Sequence, residues 1–325
     1  MRAKNPLQVA AVQFEMQGTD KGANLAIMER FAARAAAEGA NIVAFPEMCL
    51  LGYNHLFERS KRQLLSLAEN AYRGRSARQV QAMARRHGIV ILFGLLERGR
   101  GDALCNSYAV ITPDQGTVFV HRKVHAFENS AIQSGDQLET FDLFGWRMGV
   151  LICYDNNLPE NPRVLCLKGA EVIFAPHQTG GFDMASRGMG RIPLALWRNR
   201  RRDPAALQQA IEGPKGREWI MKWLPSRAYD NNLFYVFTNG VGIDGPEVRT
   251  GNSAILDPEG IVLARTDKAG DDMVIASLSK EARLRTVTSG HLKARRPSLY
   301  AKIVEPVPER DTRACRNELT GHKIK

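Results

Sequence analysis

The chain has 325 residues, 44% of them hydrophobic, enough to bury a large core as one large domain or two of ordinary size. No stretch nears the roughly 18 to 20 consecutive apolar residues of a membrane span, and "MRAKNPLQVAAVQ" lacks the apolar centre of a secretion signal, which points to a soluble, cytoplasmic protein. The net charge of +11 is concentrated in residues 187–202, with six Arg and no acid, and in 281–325, with eleven Lys or Arg against five acids, a pattern of solvated faces or subunit contacts rather than of a nucleic-acid groove.

Taken in chain order, "LQVAAVQFE" reads as a strand. A helix follows with Asp20 as N-cap, Leu25, Met28, Ala32, Ala35 and Ala36 at helical spacing, and Gly39 as the stop. "NIVAFPE" is a short apolar strand, "SARQVQAMARRHG" a helix and "IVILFGLLERG" a strand. "LCNSYAVITPDQGTVFVHRKVH" makes two strands joined at a Pro-Asp-Gln-Gly turn. Beyond these, "WRMGVLIC" is a strand, "ENPRVLCLKG" a helix and "AEVIFAPH" a strand. "REWIMKWLPSRAYDNN" is helical with a break near Pro225, and "LFYVFTNGVG" and "GNSAILDPEG" are strands. This alternation predicts α/β layers in a single domain over 1–280, with hairpins adding antiparallel strands. Residues 178–215 form an irregular excursion that could serve as a lid, and 281–325 form an extension suited to a subunit interface.

Chemistry gathers where strands end. The strand "GVLIC" delivers Cys153 directly into Tyr154, Asp155, Asn156 and Asn157, polar residues expected to wall a pocket. A thiol becomes a nucleophile when a base removes its proton or a cation stabilises its anion. Five scattered cysteines with no C-x-x-C pair argue against disulfides and zinc, and none of the seven histidines is spaced as an obvious base. His121 and His125 lie four apart at a strand end and share no face, so no metal site is expected. Glu47 ends the strand "NIVAFPE" and Lys123 ends "GTVFVHRK", and strand ends in α/β proteins are where sites assemble.

These residues resemble a known family. "FPEMCLLGY" around Glu47, "HRKVH" around Lys123 and "GVLICYDNNLPE" around Cys153, supported by "RAYDNNLFYVFTNGVG" and "GNSAILDPEG", are similar in content and order to the nitrilase superfamily of carbon-nitrogen hydrolases, over residues 7 to 280. The resemblance implies a four-layer αββα sandwich and a triad of Glu47 as general base, Lys123 as cationic stabiliser and Cys153 as nucleophile. It also implies no cofactor, an oxyanion donor at the Tyr154 N–H, and at least a homodimer. Glu128, in "KVHAFENSAIQSGD", is similar in its spacing before Gly135 to a second glutamate of the family. Tyr53, Asn157, and His177 and Gln178 of "APHQTGG" are candidate substrate contacts.

Cys153-Tyr154-Asp155 resembles the amidase and carbamoylase branches, whereas nitrilases tend to Cys-Trp-Glu. Asn156 and Asn157 stand where carbamoylases keep arginines that grip a substrate carboxylate, which disfavours anionic N-carbamoyl amino acids unless an Arg from 187–202 substitutes. The expected activity is hydrolysis of a small linear amide or ureido compound. Nitrile hydrolysis and N-carbamoyl hydrolysis are the enzyme alternatives; an inactive scaffold binding nucleic acid or an acidic partner is the non-enzyme one.

Overall fold

The computed structural model describes residues 2–180, 190–306, 308 and 311–320. The first half of the chain runs β1 (Leu7–Gln13), α1 (Lys21–Ala37), β2 (Ile42–Ala44), α2 (Lys61–Leu67), α3 (Arg75–His87), β3 (Val90–Arg98), β4 (Leu104–Thr112), β5 (Gly116–Arg122) and β6 (Ile132–Gln133). Next come β7 (Thr140–Leu143), β8 (Trp146–Val150), α4 (Glu160–Leu167), β9 (Val172–His177), α5 (Leu194–Arg198), α6 (Pro204–Glu212), α7 (Arg217–Met221) and α8 (Leu224–Tyr229). The chain continues through β10 (Phe234–Asn239), β11 (Val241–Asp244), β12 (Glu247–Thr250), β13 (Ala254–Leu256), β14 (Val262–Arg265) and β15 (Asp272–Leu278), and ends in α9 (Lys280–Leu284), α10 (Thr288–His291) and α11 (Thr312–Thr320).

The caps explain the boundaries. Asp20 accepts from the Ala23 N–H at the start of α1, and Gly88, in the left-handed region at φ 64°, terminates α3. The predicted break near Pro225 is real: α7 and α8 are separate, with Pro225 in the first turn of α8.

Two sheets stack. The first has the order β15-β1-β2-β3-β4-β5 with β6 beside β4, and the second β14-β13-β10-β9-β8-β7. Within them β1, β2 and β3 are mutually parallel, as are β8, β9 and β10; β15, β4, β5, β7, β13 and β14 join antiparallel, and the short β6 joins β4 in parallel. Val9 and Ala11 of β1 enter the layer between the sheets, whereas Ala10 and Val12 pack under α1 and α3. Likewise Val172 and Phe174 of β9 face the first sheet, and Ile173 and Ala175 face the side of α4, α7 and α8. Strands covered on both faces read as continuous apolar runs, as "LQVAAV" and "EVIFA" do. The layers are therefore αββα, in one domain.

The described part of the 178–215 excursion is a buttress. Trp197 of α5 and Leu207 and Ile211 of α6 pack on Val241 and Val248 of the β11–β12 hairpin, and Trp197 Nε1 donates to Glu15. The rest of the expected lid, 181–189, lies outside the described residues. No helix among the described residues is long and apolar enough to cross a membrane.

Candidate active site

The site forms at the edge where β2, β5 and β8 finish. Phe45, just past β2, has its carbonyl bonded by Tyr108 Oη (2.5 Å) from β4 and Thr238 Oγ1 (3.0 Å) from β10, which ties the two sheets together beside Glu47. The next peptide is wedged against β3: a Cβ on Gly94 would lie 2.2 Å from Met48 N and 2.8 Å from Glu47 C. Only glycine tolerates that approach. On its other side the Glu47 carbonyl accepts from Gln178 Nε2 at 2.7 Å.

Glu47, Lys123 and Glu128 are fully buried and share a network. Lys123 Nζ lies 2.9 Å from Glu47 Oε1 and 2.5 Å from Glu128 Oε1. Asn106 of β4 donates from Nδ2 to the same two oxygens, at 2.7 and 2.9 Å. The carboxylates are treated unequally. Glu128 also accepts from Tyr53 Oη (3.3 Å) and from the Phe127 N–H (2.9 Å), whereas Glu47 Oε2 is buried and accepts no hydrogen bond from the described residues.

The charges follow. Two carboxylates around one ammonium in a dry pocket cannot both be ionised cheaply. Burial, then the field of the Cys153 sulfur as thiolate, push Glu47 up to about 8 against the pull of Lys123. Burial would raise Glu128 too, but Lys123 and the bonds from Lys123 and Asn106 outweigh it and hold Glu128 below its ordinary value. Burial opposes the charge on Lys123, and Glu128 and Glu47 overcome it and raise its pKa well above that of a free lysine.

Cys153 follows β8 by three residues and turns back at φ +48°, a strained value for a residue with a side chain. The polar residues after it were expected to wall a pocket; Asp155 and Asn156 instead hold this turn from beneath. Asp155 accepts from the Ile152 N–H (3.0 Å) and the His125 N–H (2.9 Å), with His121 Nε2 at 3.3 Å. Asn156 donates to the Leu151 and Cys153 carbonyls and accepts from Tyr235 Oη at 2.7 Å.

The candidate substrate contacts divide accordingly. His177 is buried with its ring nitrogens on Asn156 Nδ2 and Thr179 Oγ1, and burial drives its pKa down to about 3, so it is a neutral prop for the turn. Gln178 positions Glu47. Asn157 is half-buried, and its carbonyl, with that of Asn156, is gripped by Arg227. Tyr53 reaches the network directly, its ring 5.5 Å from Lys123 Nζ. Tyr154 packs edge-on against Phe127 at 5.7 Å, beside the nucleophile position.

Several working residues have little signature in the sequence. Asn106 is a lone amide inside an otherwise buried strand, and a buried polar group needs a partner; that was its one signal. Arg249 is buried against Asp244 and Glu247, donates to the Gln178 carbonyl and lies 5.2 Å from the Tyr53 ring. Arg316 of α11 covers Phe127 and Tyr154 and has no motif at all.

A thiol on a strained turn, a buried ammonium and a carboxyl group of raised pKa thus stand at the ends of β8, β5 and β2. The chain belongs to the carbon-nitrogen hydrolase family, whose model matches residues 8–285. It is 31% identical to an (R)-stereoselective amidase of Pseudomonas sp., covering 82% of each chain. It is 28% identical to a nitrilase of Pyrococcus abyssi, covering 84% of this chain and 89% of that one, and 25% identical to an N-carbamoylputrescine amidase of Arabidopsis thaliana, covering 91% and 94%. Among solved structures, an amidase of Nesterenkonia AN1 from the nitrilase superfamily superposes with a TM-score of 0.69 at 19% identity, covering 92% of this chain and 98% of that one.

Proposed function

We propose that the enzyme is an amidase, hydrolysing a small linear amide or ureido compound through a thioester on Cys153. The observation that carries this reading is the inequality of the two carboxylates: Glu128 is saturated with donors and holds Lys123 charged, while Glu47 keeps an unbonded buried oxygen and a pKa of about 8. A group of that pKa can both take and return a proton near neutrality.

Glu47 takes the thiol proton and Cys153 Sγ attacks the substrate carbonyl carbon. Negative charge develops on the carbonyl oxygen, where Lys123 and the Tyr154 N–H stabilise it. The C–N bond then breaks as Glu47 returns its proton to the leaving amine, and the acyl group remains as a thioester. A water deprotonated by Glu47 attacks that thioester, releasing the acid and restoring the thiol. Amides are favoured over nitriles by the Cys153-Tyr154-Asp155 sequence.

Ammonia release from matched amide, nitrile and N-carbamoyl substrates, with intact-mass measurement after incubation with amides, tests the reading. An acyl adduct is expected on the unmodified protein and not on Cys153→Ala, which loses turnover and keeps its fold. Turnover of nitriles alone overturns the amide assignment, and an active Cys153→Ala overturns the nucleophile.

A further inference from the structure

Arg249 of β12 is a buried guanidinium that the acyl-transfer steps do not use, and it stands behind the base. Its Nε and Nη2 converge on Asp244 Oδ2 at 3.0 and 2.8 Å, and Nη1 donates to Glu247 Oε2 at 2.7 Å and to the Gln178 carbonyl at 2.6 Å. A Cβ on Gly180 would lie 3.0 Å from Arg249 Cδ and 2.8 Å from the Val248 carbonyl, so the chain leaving β9 is pressed against this side chain.

Two routes lead from Arg249 to Glu47. Along the first, the guanidinium fixes the Gln178 backbone, and Gln178 Nε2 donates to the Glu47 carbonyl at 2.7 Å. Along the second, Asp244 accepts from the N–H groups of Tyr53 (3.4 Å) and Asn54 (3.1 Å), which holds the far end of the loop that starts at Glu47. Tyr53 in turn has its Oη 3.3 Å from Glu128 Oε1 and its ring 5.5 Å from Lys123 Nζ, with Arg249 Cζ 5.2 Å from the same ring. The β11–β12 hairpin already pairs from Val241↔Thr250 to Asp244↔Glu247. A buried ion cluster adds little net stability over apolar packing of similar volume, so closing the hairpin does not account for it.

We propose that Arg249 is a positioning residue for the hydrolysis: its planar fork fixes the Glu47 peptide from both sides, through Gln178 and through Asp244, and so keeps the base carboxyl on Lys123 and within reach of the thiol. This rests on the reading of Glu47 as the base. Lysine keeps the positive charge but has no planar fork with which to reach all three acceptors.

The test is a double-mutant cycle on the full-length enzyme: Arg249→Lys, Gln178→Met and the two together. Ammonia release from butanamide gives kcat and KM, and circular dichroism gives the folded fraction. Each single variant is expected to lose roughly tenfold or more in kcat per folded molecule with KM little changed, because a small displacement of a reacting group is costly. The double variant should lose far less than the product of the single losses, since Gln178→Met already cuts the first route. Alkylation by iodoacetamide, read at Cys153 by peptide mass, follows the same geometry without turnover and should slow roughly tenfold in each single variant with the same non-additivity; if the parent does not hydrolyse butanamide, this cycle decides alone. Glu47→Gln reports the base separately: if it keeps turnover, the base reading fails, while the coupling of Arg249 to Gln178 in kcat still decides Arg249. Parent rates in Arg249→Lys or in Gln178→Met, a loss carried by KM alone, or single losses that multiply in full each overturn the proposal and leave the cluster as a fastening for the hairpin.

Discussion

At the scale of single residues, the buried network divides two glutamates that charge alone would leave equivalent. Glu47 is raised to about 8 by burial and by Cys153, so it is protonated below that value and cannot accept the thiol proton there. The kcat/KM for an amide should therefore fall as pH drops through about 8. Ammonia release measured across pH checks this, and a plateau from roughly pH 6 to 9 contradicts it. Because the Glu128 charge also raises Glu47, Glu128→Gln should move the acid limb to lower pH while reducing kcat, as Lys123 loses its closest partner. Glu47, Lys123 and Cys153 stood out in the sequence because each closes an apolar strand, and the three motifs shared with the family joined them into one set. Asn106 and Asp155 were not, because their partners are backbone N–H groups and carboxylates fixed only by the fold.

At the scale of elements, the ends of β2 and β8 and the middle of β3 carry the precision. Gly94→Ala would drive a methyl into the Glu47–Met48 peptide, and overpacking of this kind costs about 1 to 3 kcal/mol. The loss of activity should exceed what the lowered melting temperature explains, because the displaced peptide carries the base. Gly290→Ala, where a Cβ meets nothing within 4 Å, is the control and should melt at or above the parent temperature. Beneath the nucleophile, Asn156→Ala would leave Tyr235 Oη and the Leu151 carbonyl without their present partners, at about 1 to 3 kcal/mol for each group stranded in the core. Denaturant unfolding and amidase assays on the same preparation separate the two effects; full stability with full activity would show that the turn holds its φ of +48° without this support. The sequence pattern marked α1, α3, α4, α7, α8 and the buried parallel strands, since caps and apolar runs are local, but passed over α2 and the short helices after residue 280. It read Asp155 and Asn156 as pocket wall because nothing in a linear pattern tells a polar side chain facing a cavity from one turned under a bend.

At the scale of the whole molecule, the alternation of strands and helices was sufficient for a layered α/β fold and its turn signal for the β4–β5 hairpin, while the antiparallel pairing of β15 with β1 was not readable. β15 pairs with β1 along all seven of its residues, from Asp272↔Gln13 to Leu278↔Leu7, across almost the full length of the chain. Such a pairing has no short-range signal, and β14 is only half-covered, so neither strand stood out. The closure makes a test of where the folding unit ends. Truncation after residue 271 removes β15 and exposes the edge of β1 beside the central parallel strands, and should yield insoluble protein. Truncation after residue 306 removes α11 but leaves both sheets and the Thr288 hydroxyl on Asn232 and Pro258, and should keep a single cooperative thermal transition. The shorter tail also uncovers Phe127 and Tyr154 and deletes Arg316 while leaving Glu47, Lys123, Glu128 and Cys153 untouched. Its amide hydrolysis should then persist, because no member of the buried Glu47–Lys123–Glu128 network is removed. A truncated enzyme that melts normally yet releases no ammonia from amides would show that the cover α11 lays on Phe127 and Tyr154 is needed to hold the loop before Glu128 and the turn after Cys153 in place.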